Sequence, residues 1–398
     1  MIDRLLSWRP SGTPTLAWLG ILLGLLAFWV ALPPLKVREP AVPVVIGLFA
    51  IALGISVLSR GGARRLGWGA IVIGMLGIGL GYLATRSSEG HLDQVIVWSA
   101  LMAAMLRYAT PLAFAAMGGI FSERSGVVNI GLEGMMLSGA FFGILGADKF
   151  DSWPLGLLCA ALSGGAFALI HAFFAIHLRA DQIVGGTAIN FLALGVTGYL
   201  FIDIYGGEGT PPDIPGIPNV HLDFLDDWYF IGPLLGQLNL MIWLAFLTIV
   251  ATWIVLFKTP IGLRIRAVGE HPRAADTVGI SVYKTRYAAV VLSGILAALG
   301  GAYLSIGFVN SFNQNMTVGR GFIALAAVIF GNWRPWGAAA AALLFGFSSA
   351  LAQRLPAYSE SAAVLFQALP YVLTLIAVAG VIGRSIPPAA VGRPYKKQ

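Results

Sequence analysis

Apolar residues gather into twelve runs separated by short polar stretches, near 16–33, 41–58, 67–84, 94–120, 133–147, 154–177, 186–202, 236–257, 287–309, 321–333, 336–353 and 362–383. Each has, or nearly has, the roughly 20 residues that a helix needs to cross a bilayer core. Only helices suit such runs, because an open sheet leaves backbone N–H and C=O groups unpaired in lipid. The pattern predicts an all-α polytopic membrane protein.

Two runs strain that count. Residues 321–333 are short for a span and follow a polar turn, Asn310–Asn315. Arg107 interrupts 94–120, and if it snorkels to an interface too few residues remain before Glu123 and Arg124 to cross. A helix that breaks near the midplane reconciles this, as transporters do where they hold solute. The other reading pairs Arg107 at the outer surface and makes Ser122–Gly126 an inner loop. The expected number of spans is therefore ten to twelve.

Composition agrees: of 398 residues, 58% are hydrophobic and only 11% charged, with a mean hydropathy of +0.82. Soluble domains carry about a quarter charged residues. The 50 glycines suit closely approaching helices. The single cysteine, Cys159, excludes an internal disulfide and offers no metal cluster, so no cofactor is expected. A net charge of +7 need not mean nucleic acid. With the N-terminus inside and strict alternation, eighteen of the 25 Lys/Arg face the cytoplasm, and twelve of the 18 acids lie outside. That is the positive-inside bias of a cell-membrane protein with both termini cytoplasmic. The start of the chain shows no cleavable-signal pattern, since the run after Arg4 and Arg9 is long enough to span.

An internal repeat lies within the apolar runs. Pro154-x-Gly156-x-x-x-Ala160-Ala161-Leu162-x-x-Gly165 recurs as Pro335-x-Gly337-x-x-x-Ala341-Ala342-Leu343-x-x-Gly346. In the alternating topology, segments 94–202 and 287–383 run in opposite senses, the inverted repeat of many transporters.

The polar stretches carry the candidate chemistry. Lys258–Arg286 holds six basic and two acidic residues. Pro272 suits a first helical turn and Gly279 the left-handed residue past a helix end. Between them Ala274, Ala275 and Val278 share a small apolar face. This is either a docking helix for a soluble partner or a basic loop that fixes orientation. Asn129 and Glu133 lie among Gly126, Gly131, Gly134 and Gly139, where irregular backbone is affordable. An intramembrane carboxylate needs a partner, and Arg124 or Arg107 is expected for Glu133, whether it braces a helix break or meets solute. Asn190, Asn310, Asn313 and Asn315 are uncharged amides suited to hydroxyls and bases. His171 and His177 read as interfacial. The acidic, proline-rich loop Asp203–Asp227 suits an extracytoplasmic partner's basic patch or merely reflects the bias against basic outer loops. No GxxxxGK[ST], HExxH or GxSxG sequence is present, so ATP hydrolysis or other enzymatic chemistry by this chain is not expected.

RAVGEHPRAADTVGI (266–280) resembles the cytoplasmic coupling segment of ABC importer permeases of the ribose, nucleoside and branched-chain amino-acid group. SERSGVVNIGLEGMMLSGAFFG (122–143) resembles that group's other hallmark, closest to its nucleoside and simple-sugar branch. The likeness covers 92–385, leaving 1–91 as an extension with about three spans and 386–398 as a cytoplasmic tail. It implies a permease subunit for a small polar solute, a nucleoside or simple sugar, in a prokaryotic cell membrane. The implied partners are an ABC ATPase subunit, a second permease, identical or related, and an extracytoplasmic substrate-binding protein, with lipid around the spans and no nucleic acid. It carries ATPase contact onto Gly269, Glu270, His271, Pro272, Ala275 and Gly279; Asn129, Glu133, Asn190 and Asn313 are candidates for the solute path by residue type alone, with bonds between helices as the other reading. A branched-chain amino-acid permease and an ion-coupled carrier are the alternatives. The carrier is the weaker, since Glu133 alone offers a mid-span titratable group.

Overall fold

The computed structural model describes residues 12–354, apart from 32–36, 38, 62, 87–96, 207–208, 226–227 and 229–230, together with 368 and 386–397. Within them are fourteen α-helices. They are α1 (Gly12–Trp29), α2 (Ala41–Ser59), α3 (Arg64–Arg86), α4 (Trp98–Arg124), α5 (Leu132–Phe150), α6 (Trp153–Ala172) and α7 (Gln182–Tyr205). After these come α8 (Ile231–Leu235), α9 (Leu240–Lys258), α10 (Pro260–Glu270), α11 (Pro272–Thr277), α12 (Val282–Ala302), α13 (Arg320–Phe330) and α14 (Pro335–Arg354). Helices α6 and α12 continue as π-helical turns, Phe173–His177 and Tyr303–Val309. A two-stranded ribbon, β1 (Asn219–His221) against β2 (Gln237–Asn239), lies in the loop between α7 and α9. Eleven of the twelve expected segments are helices, and the twelfth, 362–383, lies outside the described residues except at 368. Seven helices are long and apolar enough to span a membrane by themselves, fewer than the ten to twelve expected because three further apolar helices are shorter and only described residues count.

By packing, the chain divides into two compact units, Met1–Trp98 with Leu351–Arg384, and Ser99–Ala350 with Ser385–Gln398. In the first, α1, α2 and α3 touch through glycines. A Cβ at Gly24 would meet the Gly74 backbone, and one at Gly54 the Gly67 carbonyl. Backbones that approach this closely gain dispersion contacts unavailable to bulkier residues, the main attraction between helices in lipid.

The second unit is built on reciprocal contacts. A Cβ at Gly118 of α4 would meet the Ser293 carbonyl of α12, and one at Gly300 of α12 would meet the Pro111 carbonyl of α4. Pro111 lies seven residues before Gly118 and Ser293 seven before Gly300, so the two contacts exchange under a two-fold rotation. Two later helices also pack on this pair: Gly164 of α6 on the Gly294 carbonyl of α12, and Gly346 of α14 on the Met105 carbonyl of α4. The repeated Pro-x-Gly motif opens α6 in one half and α14 in the other, and Gly156 and Gly337 each seat the preceding element, at the carbonyls of Gly143 and Gly331.

Helix α4 passes through Arg107 and Pro111 without interruption, and Arg107 is exposed. The break comes later, at 125–131, between α4 and α5, and has a counterpart at 310–319 between the π-turn of α12 and α13.

Candidate functional site

Two polar features stand out in the second unit, the break at 125–131 and the segment 258–281. The break leaves the last carbonyls of α4 and the first N–H groups of α5 without helical partners. Side chains supply what the helices do not. Ser122 Oγ donates to the Val127 carbonyl at 2.7 Å. Gln182 Oε1 accepts from Val128 N at 2.8 Å, and His171 Nε2 donates to the Val128 carbonyl at 3.0 Å. Asn190 Nδ2 donates to the Ile130 carbonyl at 3.0 Å while its Oδ1 accepts from Gly134 N at 2.8 Å. Asn129 Nδ2 donates to Ser293 Oγ at 2.9 Å, and Asn129 Oδ1 is buried without a partner.

Glu133 pairs with neither Arg124 nor Arg107, contrary to expectation. Its Oε1 accepts from Gly319 N at 2.8 Å and its Oε2 from Gly321 N at 2.6 Å. Two amides at the start of α13, where a helix dipole is positive, satisfy a carboxylate as an arginine would. Gly321 must be glycine, since a Cβ there would meet the Glu133 backbone. Arg124 instead donates from Nε to the Trp333 carbonyl at 3.0 Å and lies 5.9 Å from the Phe257 ring. The Trp333 indole donates to Glu123 Oε2. Asn313 is exposed in the turn before α13, apart from this cluster. His171 is fully buried rather than interfacial, whereas His177, exposed, meets Tyr287 Oη at 2.6 Å. Gln182 and His171 were not legible as supports of the break, because their partners are backbone groups in a distant loop.

Segment 258–281 contains two helices where the sequence suggested one. Thr259 caps α10, accepting from Gly262 N at 3.3 Å, with Pro260 in the first turn. The Thr-Pro pair is a helix-start signal of a kind that sequence alone carries. The second helix, α11, begins at Pro272 as expected, and Gly279 has φ +82°. Gly269 abuts the Arg124 carbonyl at the end of α4, leaving no room for a side chain. The small face is split: Ala275 is 3% exposed, packed with Val268, Val282 and Tyr395, while Val278 is 73% exposed. His271, Arg273, Ala274 and Thr277 share the exposed side.

The chain after 385 closes over this segment. Ala390 N donates to the Gly269 carbonyl at 2.9 Å, and Ala389 N to Glu270 Oε2 at 3.1 Å. Tyr395 Oη donates to Asp276 Oδ2 at 2.9 Å, so burial and the neighbouring carboxylate both push the Tyr395 hydroxyl above its ordinary pKa. These contacts bring Gly269, Glu270 and Ala275 together, but not with Asn129, Glu133 and Asn190.

A cavity of about 250 Å³ opens between α4, α9 and α14, lined by Leu106, Thr110, Ile242, Phe246, Trp336 and Leu343. Thr110 spends its hydroxyl on the Leu106 carbonyl at 2.8 Å, so the lining is almost wholly apolar. Among the described residues no group of His, Cys, Asp and Glu could hold a metal ion.

An all-α chain with seven helices long and apolar enough to span, among the described residues, has the architecture of a multi-pass membrane protein. A family model described as branched-chain amino acid transport system / permease component matches residues 101–378, and the chain belongs to that family. The chain is similar to the guanosine ABC transporter permease protein NupQ of Bacillus subtilis, 45% identical over 77% of this chain and 99% of that protein. It is similar to the nucleoside ABC transporter permease protein NupC of Lactococcus lactis, 41% identical over 75% of this chain and 96% of NupC. The putative glucose ABC transporter permease protein TsgC13 of Haloferax volcanii is 37% identical over 64% of this chain and 77% of its own length. No solved structure matches the chain.

Proposed function

We propose that this chain is the permease subunit of an ABC importer that brings a nucleoside across a prokaryotic cell membrane. The observation that carries the substrate class is the likeness to NupQ along almost all of that protein's length. TsgC13 supports a simple sugar as the second reading, and the family description a branched-chain amino acid as the third. ATP is hydrolysed by a separate subunit, with a second permease and an extracytoplasmic binding protein completing the importer.

The ATPase subunit meets 258–281 from the cytoplasm. Arg273, Ala274, Thr277 and Val278 form the touching face, and the buried Ala275 seats it. Gly269 permits the close approach to α4, while Pro272 and Gly279 bound the helix that His271 and Glu270 lead into. Asn129, Glu133 and Asn190 shape the wall of the solute path by holding the break, and Asn313 faces outward from the opposite turn. In cells expressing the complete importer, labelled guanosine should accumulate at least tenfold above cells lacking the permease, with glucose and leucine at background. Leucine or glucose uptake without guanosine uptake would overturn the substrate assignment.

A further inference from the structure

The stretch 386–395 touches three separate parts of the second unit. Its start donates from Ile386 N to Asn332 Oδ1 at 3.0 Å, beyond the end of α13. Its middle bonds Gly269 and Glu270, and Gly392 N donates to the Gly126 carbonyl at 3.3 Å, in the break. Its end buries the Tyr395 ring against Tyr283 and Ala275 and bonds Asp276.

Arg286 lies beneath these contacts. It is 1% exposed, and among the described residues no carboxylate is within ion-pair range of it. Its Nε donates to the Ser125 carbonyl and its Nη1 to the Arg393 carbonyl, each at 3.2 Å. A buried guanidinium is costly unless its N–H groups are used. Here the carbonyl end of α4 supplies a favourable dipole, and the tail supplies a further acceptor. Gly126, at φ +94°, gives the guanidinium room, because a Cβ there would meet Nη2 at 2.8 Å. The arginine therefore joins the break, the start of α12 and the tail at one point.

We propose that residues 386–395 are a tie that fastens the coupling segment to the helix break, so that displacement of α11 is passed to 125–131 and on to α5. The role rests on the coupling reading above, and it adds a working part outside the segment that the family likeness covers. A surface loop that merely fills space does not bond the two ends of a transmission path and cover the cation between them. The tie keeps its contacts through the cycle, and the exposed face of α11 stays free for the ATPase subunit.

The test has a structural arm and a functional arm. In the first, Ala275→Cys is placed in a Cys159→Ser background and the purified chain is exposed to a maleimide. The full chain should protect position 275, and truncation before Ile386 should speed labelling at least tenfold. In the second, the complete importer carrying the truncation should retain its ATPase subunit on purification yet take up labelled guanosine at no more than a tenth of the parent's rate. Tyr395→Ala serves the same purpose if the truncated chain fails to insert, with an intermediate effect expected in both arms. Unchanged labelling, or uptake equal to the parent's, overturns the tie. Loss of the ATPase subunit also overturns it, because the tail would then be a docking surface. A parent that takes up no guanosine refutes the substrate assignment instead, and the labelling arm still decides the tie.

Discussion

Glu133 decides between a structural and a solute-binding reading of the break. Its carboxylate holds the first turn of α13 through Gly319 N and Gly321 N. Hydrogen bonds to a charged group contribute about 1.5–3 kcal/mol each, and a carboxylate at a helix start adds about 0.3–1 kcal/mol. Glu133→Ala removes both bonds and leaves two amides that water reaches poorly, so a loss of about 3–6 kcal/mol is expected. Glu133→Gln keeps one carbonyl acceptor, surrenders the charge and turns an NH2 toward a backbone donor, so roughly half that loss is expected. Thermal unfolding of the detergent-solubilised chain, followed by intrinsic fluorescence, should rank parent above Gln above Ala. If both variants unfold with the parent and only uptake is lost, the carboxylate is a solute ligand and the capping argument fails.

The remaining expectations are smaller in scope. Gly301→Ala would drive a methyl into the Met136 carbonyl, and Gly139→Ala one into the Ala298 backbone, so each should cost about 1–3 kcal/mol in the same unfolding assay, and parent-like melting would refute the close crossing. Tyr395, raised in the folded chain, contributes stability below the ordinary tyrosine pKa of about 10 that is lost as pH rises through the folded value. An ultraviolet difference titration of the parent against Tyr395→Phe should show the missing tyrosinate appearing later than free tyrosine, and a difference at or below the ordinary value would remove the Asp276 contact. Cysteines at Asp213 and Arg273, both exposed, should react with an impermeant reagent from opposite sides of the membrane; labelling of both in intact cells would refute the alternating topology.

The membrane helices were legible because apolar length is a one-dimensional signal, and α4 to α7, α9 and α12 to α14 start within a few residues of the runs that announce them. The repeated Pro-x-Gly motif was legible for the same reason, although only packing reveals why Gly118 and Gly300 are glycines. The break was legible as a place but not as a bonding pattern. A sequence offers Arg124 and Arg107 as charges for Glu133, whereas the chain uses backbone amides, which no residue type announces. Ala275 looked like a docking surface because small residues mark close contact, and they do so equally well when the contact is internal, as with Tyr395. The basic, glycine- and proline-containing tail carries no periodic pattern, and its placement follows from partners more than a hundred positions earlier, such as Asp276 and Glu270.

Helix α5 is the element on which these contacts converge. At its start it receives Asn190 from α7, and from its first turn it gives Glu133 to α13. The loop that leads into it is bonded by Ser122, Gln182, His171 and Asn190, so shifting that loop alone would leave several buried polar groups unpaired, at about 1–3 kcal/mol each. The inexpensive movement is one in which loop, α5 and the start of α13 travel together. Arg286 enters that body at Ser125 and the tail enters it at Gly126, both at the end facing α10 and α11. On the coupling reading, a force applied to the exposed side of α11 would meet loop, α5 and the start of α13 as one bonded body, joined through Gly319 to the turn that carries Asn313.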